Sequence, residues 1–321
     1  MTSFICQIKS YTFLIIKQTY YLYIKHLIKL KKHNSVVPIL WNSHVAHLLS
    51  DNKNLAHKIL ESSFQRVKND KVKLNLMDQV FKEQERLGIL ERIDNLDQFL
   101  VQHPECSFLP HMGVFKLDRS TTKCRVVYLS NLCEKINGRA ISHNQAIHAG
   151  PNLNQKITTS ILNSRFGKKL LCFDLQKAFN TLALDDIDSN KLLCLWYKNI
   201  HANDFTIVGY RNIRLCFGLR CSPTLLMLAL YYILVLNNDD NDSYINNLKK
   251  EIYLLSYMDN CACTADSTDE LMLAYNNLNN IFSPFKFGLQ QFITNDDIVQ
   301  KHIDVEFNTS TESTVKLLGI Q

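Results

Sequence analysis

Two acidic residues that end apolar segments are the first candidates for chemistry. Asp259 lies in the polar corner 257–260 between two apolar runs, and Asp174 ends the apolar run 169–174. An Asp-Asn pair between two strand-like runs predicts a β-hairpin with Asp259 at its tip. Two carboxylates that meet at strand ends supply the oxygen ligands that Mg²⁺ prefers, and a pair of such ions supports in-line phosphoryl transfer. A lone Asp at a strand end is more often a helix N-cap, so the metal hypothesis requires both acids.

The segments around the two acids predict how these residues meet. In chain order they are a strand ending at 174, a helix starting at 175–182, strands at 207–210 and 212–217, a buried helix at 224–236, a hairpin at 257–260, a helix at 267–282 and a strand at 287–293. Ser222 is the expected N-cap of the buried helix, with Pro223 at its first position. This order predicts an antiparallel sheet with helices on one face, an α+β fold that can bring Asp174 and Asp259 together.

The segment before the first acid predicts two helices and a hairpin. Apolar residues recur at helical spacing through 52–92, and Gly88 is expected to close the second helix. Strand-like runs at 108–117 and 124–129 flank a turn at 118–122. Lys123 and Arg125 alternate with apolar residues on the second strand, where they could reach a phosphate group. The alternative is that both simply lie on a solvated face.

Composition sets broad limits on function. The chain has 321 residues, 46% hydrophobic and 21% charged, which is typical of a globular protein. Its net charge of +6 and pI near 8.7 weakly favour an anionic partner such as nucleic acid. Ten cysteines without a CxxC pair or metal spacing favour a reducing, intracellular setting. No apolar run reaches about 18 residues, so no membrane span is expected.

The two ends of the chain suggest an extension and a fragment. Residues 1–34 carry six lysines and no acid, within a basic N-terminal extension at 1–50. This extension is either a basic arm for a nucleic acid or membrane surface, or a non-homologous extension or the result of a misplaced start of the reading frame. The chain ends inside the apolar run 315–320, which suggests part of a longer protein.

Several motifs in order resemble those of a known enzyme family. The segments FDLQKAF (173–179), FGLRCSP (217–223) and YMDN (257–260) resemble three consecutive palm motifs of a reverse transcriptase. A finer resemblance is to the Bel/Pao class of LTR retrotransposons. FLPHMGVF (108–115) is similar to that class's incoming strand and STTKCRVV (120–127) to its fingers hairpin. GPNL (150–153) is similar to its linker and LLG (317–319) to the start of its primer-gripping strand.

The resemblance implies a role for each matching residue. Asp174 and Asp259 would bind two Mg²⁺ ions, with Mn²⁺ as an alternative and the Leu175 carbonyl as a main-chain ligand. Phe179 would lie under the incoming sugar and exclude a 2′-hydroxyl. Lys123 and Arg125 would bind the triphosphate. Gly218, Ser222 and Pro223 would contact the templating base pair and the nucleotide. Tyr257 and Met258 would pack near the primer end.

Two positions depart from the family pattern. Asn260 occupies the place of a second Asp, and Leu129 occupies the place of an Asp after the fingers strand. Asn260 keeps a coordinating oxygen but loses a negative charge, which lowers the expected rate by about 10²–10⁴. The alternative function is therefore a catalytically impaired or dead, nucleic-acid-binding remnant.

The overall expectation is a right-hand polymerase fingers and palm at 51–321, with an antiparallel palm sheet packed on helices and truncation before the thumb, connection and RNase H. Its activity would be RNA-directed DNA synthesis, with a primed RNA or DNA template and dNTPs as partners. The expected location is intracellular, in a cytoplasmic retrotransposon particle with a route to the nucleus. The oligomeric state stays open, and an unrelated globular protein with accidental motifs is a further alternative.

Overall fold

A computed structural model describes residues 29–31, 34–118, 123–134, 140–202, 204–237 and 242–307. Most of the turn 118–122, the segment 317–319 and much of the basic extension lie outside these described residues. The chain divides into two compact units. The first unit comprises Met1–Val37, Leu153–Gln176 and Leu226–Gln321, and the second comprises Pro38–Asn152 and Lys177–Leu225. No helix in the described ranges is long and apolar enough to cross a membrane.

Helices and antiparallel strands alternate along the described residues. The strands are β1 Lys29–Lys31, β2 Asn34–Val36, β3 Leu90–Ile93, β4 His111–Phe115, β5 Cys124–Tyr128, β6 Lys169–Gln176, β7 Leu193–Asn199, β8 Asp204–Asn212, β9 Asn260–Ala265 and β10 Gly288–Thr294. The α-helices are α1 Lys53–Val67, α2 Lys71–Arg86, α3 Leu96–Gln102, α4 His143–Ala146, α5 Ile157–Ser164, α6 Ala178–Thr181, α7 Asp186–Asn190, α8 Ser222–Tyr231, α9 Ser243–Leu255, α10 Thr268–Phe282 and α11 Asp297–Phe307. Mixed helix with antiparallel sheet confirms the α+β class.

A three-stranded sheet of order β10-β6-β9 forms the centre of the first unit. Along β6 the buried side chains are Leu171, Phe173 and Leu175, and the residues between them are only partly buried. This period of two places one face of the strand in the core. On that face the ring of Phe173 packs 5.9 Å from Phe282 of α10, so α10 covers the side of the sheet opposite to Asp174.

A β-bulge interrupts the pairing of β10 with β6 beside the first acid. Gln290 pairs with Asp174 and Ile293 pairs with Cys172, so two residues of β10 oppose Phe173. One of them, Gln291, has a positive φ of 56°. The extra residue is typical of a bulge that bends one strand of an antiparallel pair.

The second unit contains a sheet of order β3-β8-β7 and the two-stranded hairpin β4–β5. Its core includes Trp196, whose ring stacks 4.7 Å from that of Phe81 at an interplanar angle of 2°. The Trp196 indole N–H donates to the buried carboxylate of Asp78 at 3.0 Å. A buried polar atom of this kind is tolerated because it is hydrogen-bonded.

Several predicted elements are confirmed. Helices α1 and α2 fall within 52–92, and Gly88 follows the second with a positive φ of 62°. Hairpin β4–β5 occupies the expected strands, helix α10 begins after the capping Ser267, and β10 matches the strand at 287–293. The apolar run after Pro223 is a buried helix that ends in a π-helical turn, Tyr232–Leu236.

Other predictions were wrong. The segment starting at 175 does not begin a helix, because β6 continues to Gln176 and Lys177 takes a left-handed φ of 49° before the short helix α6. The strand expected at 207–210 lies within β8, whose partner β7 was not predicted. The strand expected at 212–217 does not form, because β8 ends at Asn212 and only an isolated bridge between Arg214 and Ala183 follows within 213–217. Ser222 is the first helical residue and not an N-cap, since its hydroxyl donates to the Cys216 carbonyl at 2.8 Å.

Replacing Phe173 by Ala tests the packing of the first unit. Phe173 is 1% exposed and contacts the rings of Phe282 and Phe292. The cavity left by the ring is expected to lower the free energy of unfolding by about 3–5 kcal/mol, measured by chemical denaturation. Leu162→Ala, at a position 59% exposed in the same unit, is the control and should change stability little. Equal effects of the two substitutions would contradict the assigned core.

Candidate functional site

The corner that carries Asp259 is a tight two-residue turn. The Tyr257 N–H donates to the Asn260 carbonyl at 2.9 Å, and the Asn260 N–H donates to the Tyr257 carbonyl at 3.1 Å. Of the two residues at the corner, only Met258 has a positive φ, 59°, which is the pattern of a type II′ turn. The predicted hairpin tip is confirmed, but its incoming arm is helix α9 followed by the single bridge residue Tyr257 and not a strand.

Strand pairing brings the two acids together as predicted. Asp174 of β6 pairs with Asn260, the first residue of β9, and the Leu175 N–H donates to the main-chain carbonyl of Asp259 at 2.9 Å. Burial and the negative charge of Asp259 raise the pKa of Asp174 to about 6. The pairing of β6 with β9 therefore holds two carboxylates close enough to interact through their charges.

Asn260 adds a neutral amide to this site. Its Nδ2 donates to Oδ1 of Asp259 at 3.4 Å, a long hydrogen bond. The side chain of Asn260 shares the face of the sheet with Asp174, because the two residues are directly paired across the strands. An Asp at this position would add a third carboxylate to the same face.

The donor set fits a hard divalent cation. Within the described residues, Asp174 and Asp259 form no ion pair with a Lys, Arg or His side chain. Burial and the charge of Asp259 together raise the pKa of Asp174. No cluster of three or more His, Cys, Asp or Glu side chains suited to a metal occurs in the same described ranges. Two carboxylates with amide and carbonyl oxygens nearby are the ligands that Mg²⁺ uses when substrate phosphates complete its shell.

The predicted triphosphate-binding residues lie in the second unit. Lys123 and Arg125 are both exposed, and Arg125 lies on β5 opposite Val114 of β4. Because side chains alternate along a strand, Lys123 and Arg125 extend from one face of the hairpin. Their cationic groups are therefore available to an anionic ligand.

The other predicted nucleotide contacts also belong to the second unit. Phe179 is 6% exposed, and its ring lies 4.8 Å from that of Phe217, which is 52% exposed. Gly218 has a φ of 98°, and a Cβ there would lie 3.1 Å from the Tyr128 carbonyl oxygen. Gly218 is thus required both by its backbone angle and by space. Ser222 is buried and Pro223 partly exposed at the start of α8.

Asn144 is a functional candidate that the sequence did not reveal. Its Nδ2 donates to the Gly218 carbonyl at 3.0 Å, and its Oδ1 accepts from the Arg220 N–H at 2.9 Å. The side chain therefore fixes the loop that leads into α8. A single Asn in helix α4 gives no sequence signal for this contact, because nothing in its neighbourhood specifies a distant partner.

Comparison with known proteins gives a likeness at the level of structure alone. No family model matches the chain, and no curated protein matches it. Among solved structures, the chain is similar to a foamy viral protease-reverse transcriptase, solved in complex with an RNA/DNA hybrid, with a TM-score of 0.48 and 14% sequence identity. The match covers 69% of this chain and 24% of that protein, so the chain spans about a quarter of that protein's length. A likeness at this level assigns no role to any residue.

Replacing Asp174 by Asn tests the raised pKa of this buried carboxyl, which burial and the charge of Asp259 both produce. Because the folded pKa of Asp174 is about 6 and an ordinary Asp has a pKa of about 3.9, the folded protein retains a proton between these values that the unfolded chain has released. Stability therefore falls as pH rises from about 4 to 6. At pH 7.5 without metal, Asp174→Asn is expected to be more stable than wild type by on the order of 1–2 kcal/mol after solvent screening.

The pH dependence of thermal unfolding checks this assignment. The stability difference between Asp174→Asn and wild type should disappear near pH 4, where the carboxyl is protonated in both states. Asp266→Asn removes an exposed acid of the same unit and is the matched control. A difference that does not change between pH 4 and 7.5 would show that the pKa of Asp174 is not raised in the folded protein.

Proposed function

We propose that this chain is the fingers–palm part of a reverse transcriptase related to the Bel/Pao retrotransposon class. The observation that supports this function best is the strand pairing that holds Asp174 beside Asp259 without a cationic side chain from the described residues. Such a pair is destabilising in isolation, and a bound cation would remove the repulsion. The order of the matching motifs gives independent support from the sequence.

In this proposal Asp174 and Asp259 hold two Mg²⁺ ions, or Mn²⁺, with the Leu175 carbonyl as a further ligand. Bound ions of this kind neutralise phosphate charge and increase the acidity of a primer hydroxyl. The primer 3′-hydroxyl would lose its proton to water, its oxygen would form a bond to the α-phosphorus of a dNTP, and the bond between that phosphorus and the pyrophosphate leaving group would break. Both acids must be ionised to bind the metal ions. A pKa near 6 leaves most of the Asp174 carboxyl ionised at neutral pH.

The second unit supplies nucleotide contacts in the same proposal. Lys123 and Arg125 bind the triphosphate, since both are exposed cations on one face of a hairpin. Phe179 limits the space at C2′ of the sugar, and its packing against Phe217 restricts movement of the ring. The loop from Gly218 to Pro223 contacts the nucleotide and the templating pair, with Asn144 holding its conformation.

Asn260 is the observation that favours a second candidate function. With an amide where a third carboxylate would stand, the site carries one negative charge fewer and binds cations less strongly. A protein that binds a primed template without extending it remains compatible with the exposed cations of the hairpin. The two functions differ only in whether the bound primer is extended.

Primer extension with purified protein, Mg²⁺ and dNTPs distinguishes the two functions. Wild type is expected to extend a primer slowly, Asn260→Asp to extend it about 10²–10⁴-fold faster, and Asp174→Ala not at all. Asn279→Asp, which adds the same charge at an exposed position of α10, is the matched control and should not change the rate. Extension by Asn260→Asp but not by wild type would favour the binding function, and extension by neither would exclude the polymerase.

Thermal stabilisation by Mg²⁺ tests the metal site separately from catalysis. At pH 7.5, Mg²⁺ at ten times its dissociation constant should stabilise the protein by about 1.4 kcal/mol. At pH 5 the effect should largely vanish, because the pKa of Asp174 is near 6 and the carboxyl is then protonated. Asp174→Asn should abolish the stabilisation and Asn260→Asp should increase it. Equal stabilisation at both pH values would place the bound ion elsewhere.

A further inference from the structure

A buried serine lies at the base of the turn that carries Asp259. Ser256 is 0% exposed and stands between the last residue of α9, Leu255, and the bridge residue Tyr257. Its hydroxyl donates to the carbonyl of Ile252 at 2.6 Å, one helical turn back along the chain. This bond satisfies one of the carbonyls that a helix leaves free at its C-terminus.

The same oxygen also reaches the strand that leaves the turn. Ser256 Oγ lies 3.4 Å from Sγ of Cys261, a residue 2% exposed on β9. Cys261 follows Asn260 and pairs with Phe173, the neighbour of Asp174. One side chain therefore contacts both the helix that enters the turn and the strand that leaves it.

We infer that Ser256 is a positioning residue for the carboxylate of Asp259. Two main-chain hydrogen bonds between Tyr257 and Asn260 close the turn, and Met258 holds a left-handed φ that L-residues seldom adopt. Residues in such conformations persist when the surrounding structure determines them. Ser256 supplies that restraint because it contacts both arms of the turn, at Ile252 and at Cys261. A separate main-chain bond, from the Leu175 N–H to the Asp259 carbonyl, holds the turn against β6.

This role rests on the proposed metal site but is measurable without metal. The measured quantity is hydrogen exchange of the Leu175 amide, which donates to the Asp259 carbonyl, in protein without metal. In Ser256→Ala this amide is expected to exchange with solvent about tenfold faster, because the turn moves away from β6 more often. The Mn²⁺ dissociation constant should rise by about tenfold. The exchange rate and the Mn²⁺ dissociation constant are each compared with the change in global stability, which thermal unfolding measures.

Ser107→Ala is the matched control. Ser107 is 1% exposed and its hydroxyl also donates to a main-chain carbonyl at 2.6 Å, that of Ser50, but it belongs to the second unit. It should lower global stability by a similar amount and leave both site measurements unchanged. Cys261→Ala should reproduce the effects of Ser256→Ala, and Cys261→Ser, which keeps a hydrogen-bonding group, should not; this pair serves if Ser256→Ala does not fold.

The outcomes separate this inference from the proposed function. If wild type binds no Mn²⁺ but Leu175 exchanges faster in Ser256→Ala, the positioning role stands and the metal site fails. If wild type binds Mn²⁺ and Ser256→Ala behaves like Ser107→Ala in both measurements, the metal site stands and the positioning role is overturned.

Discussion

The repulsion between Asp174 and Asp259 is the interaction on which the candidate site depends. Two carboxylates raise each other's free energy when they are held close and partly buried, so the fold must restrain them. The restraint is the pairing of β6 with β9, together with the Leu175 N–H bond to the Asp259 carbonyl. The hydrophobic face of β6 offsets the free energy that this repulsion costs, because Phe173 and its neighbours bury apolar area on the opposite side of the strand.

Sequence patterns predicted the parts of the structure that local chemistry determines. Gly88 after α2 and the polar corner at 257–260 each mark a boundary within a few residues of their own position, and the helix predicted from 267 begins at Thr268. The pairing of the strand that carries Asp174 with the strand that follows Asp259 was inferred from the order of the predicted elements. The boundary signals, in contrast, lie in short segments and need no knowledge of distant contacts.

The errors arise where tertiary burial overrides local pattern. Strand β7 has five consecutive buried residues, Leu193 to Tyr197, so its sequence shows no alternation and gives no strand signal. Strand β6 continues through Leu175 and Gln176 because both pair with β10, although their sequence is equally suited to a helix. The roles of Asn144 and Ser256 could not be predicted for a different reason. Each is a single polar residue whose role depends entirely on its neighbours in space.

The bulge in β10 makes the two edges of β6 differ in their pairing. Toward β9, pairing is continuous from Lys169 to Asp174, at the edge where the two acids meet. Toward β10, the extra residue opposite Phe173 interrupts the pairing one residue from Asp174 and is typical of a local bend in β10. The spacing of the two carboxylates is therefore set by the uninterrupted pairing with β9 and not by the pairing with β10.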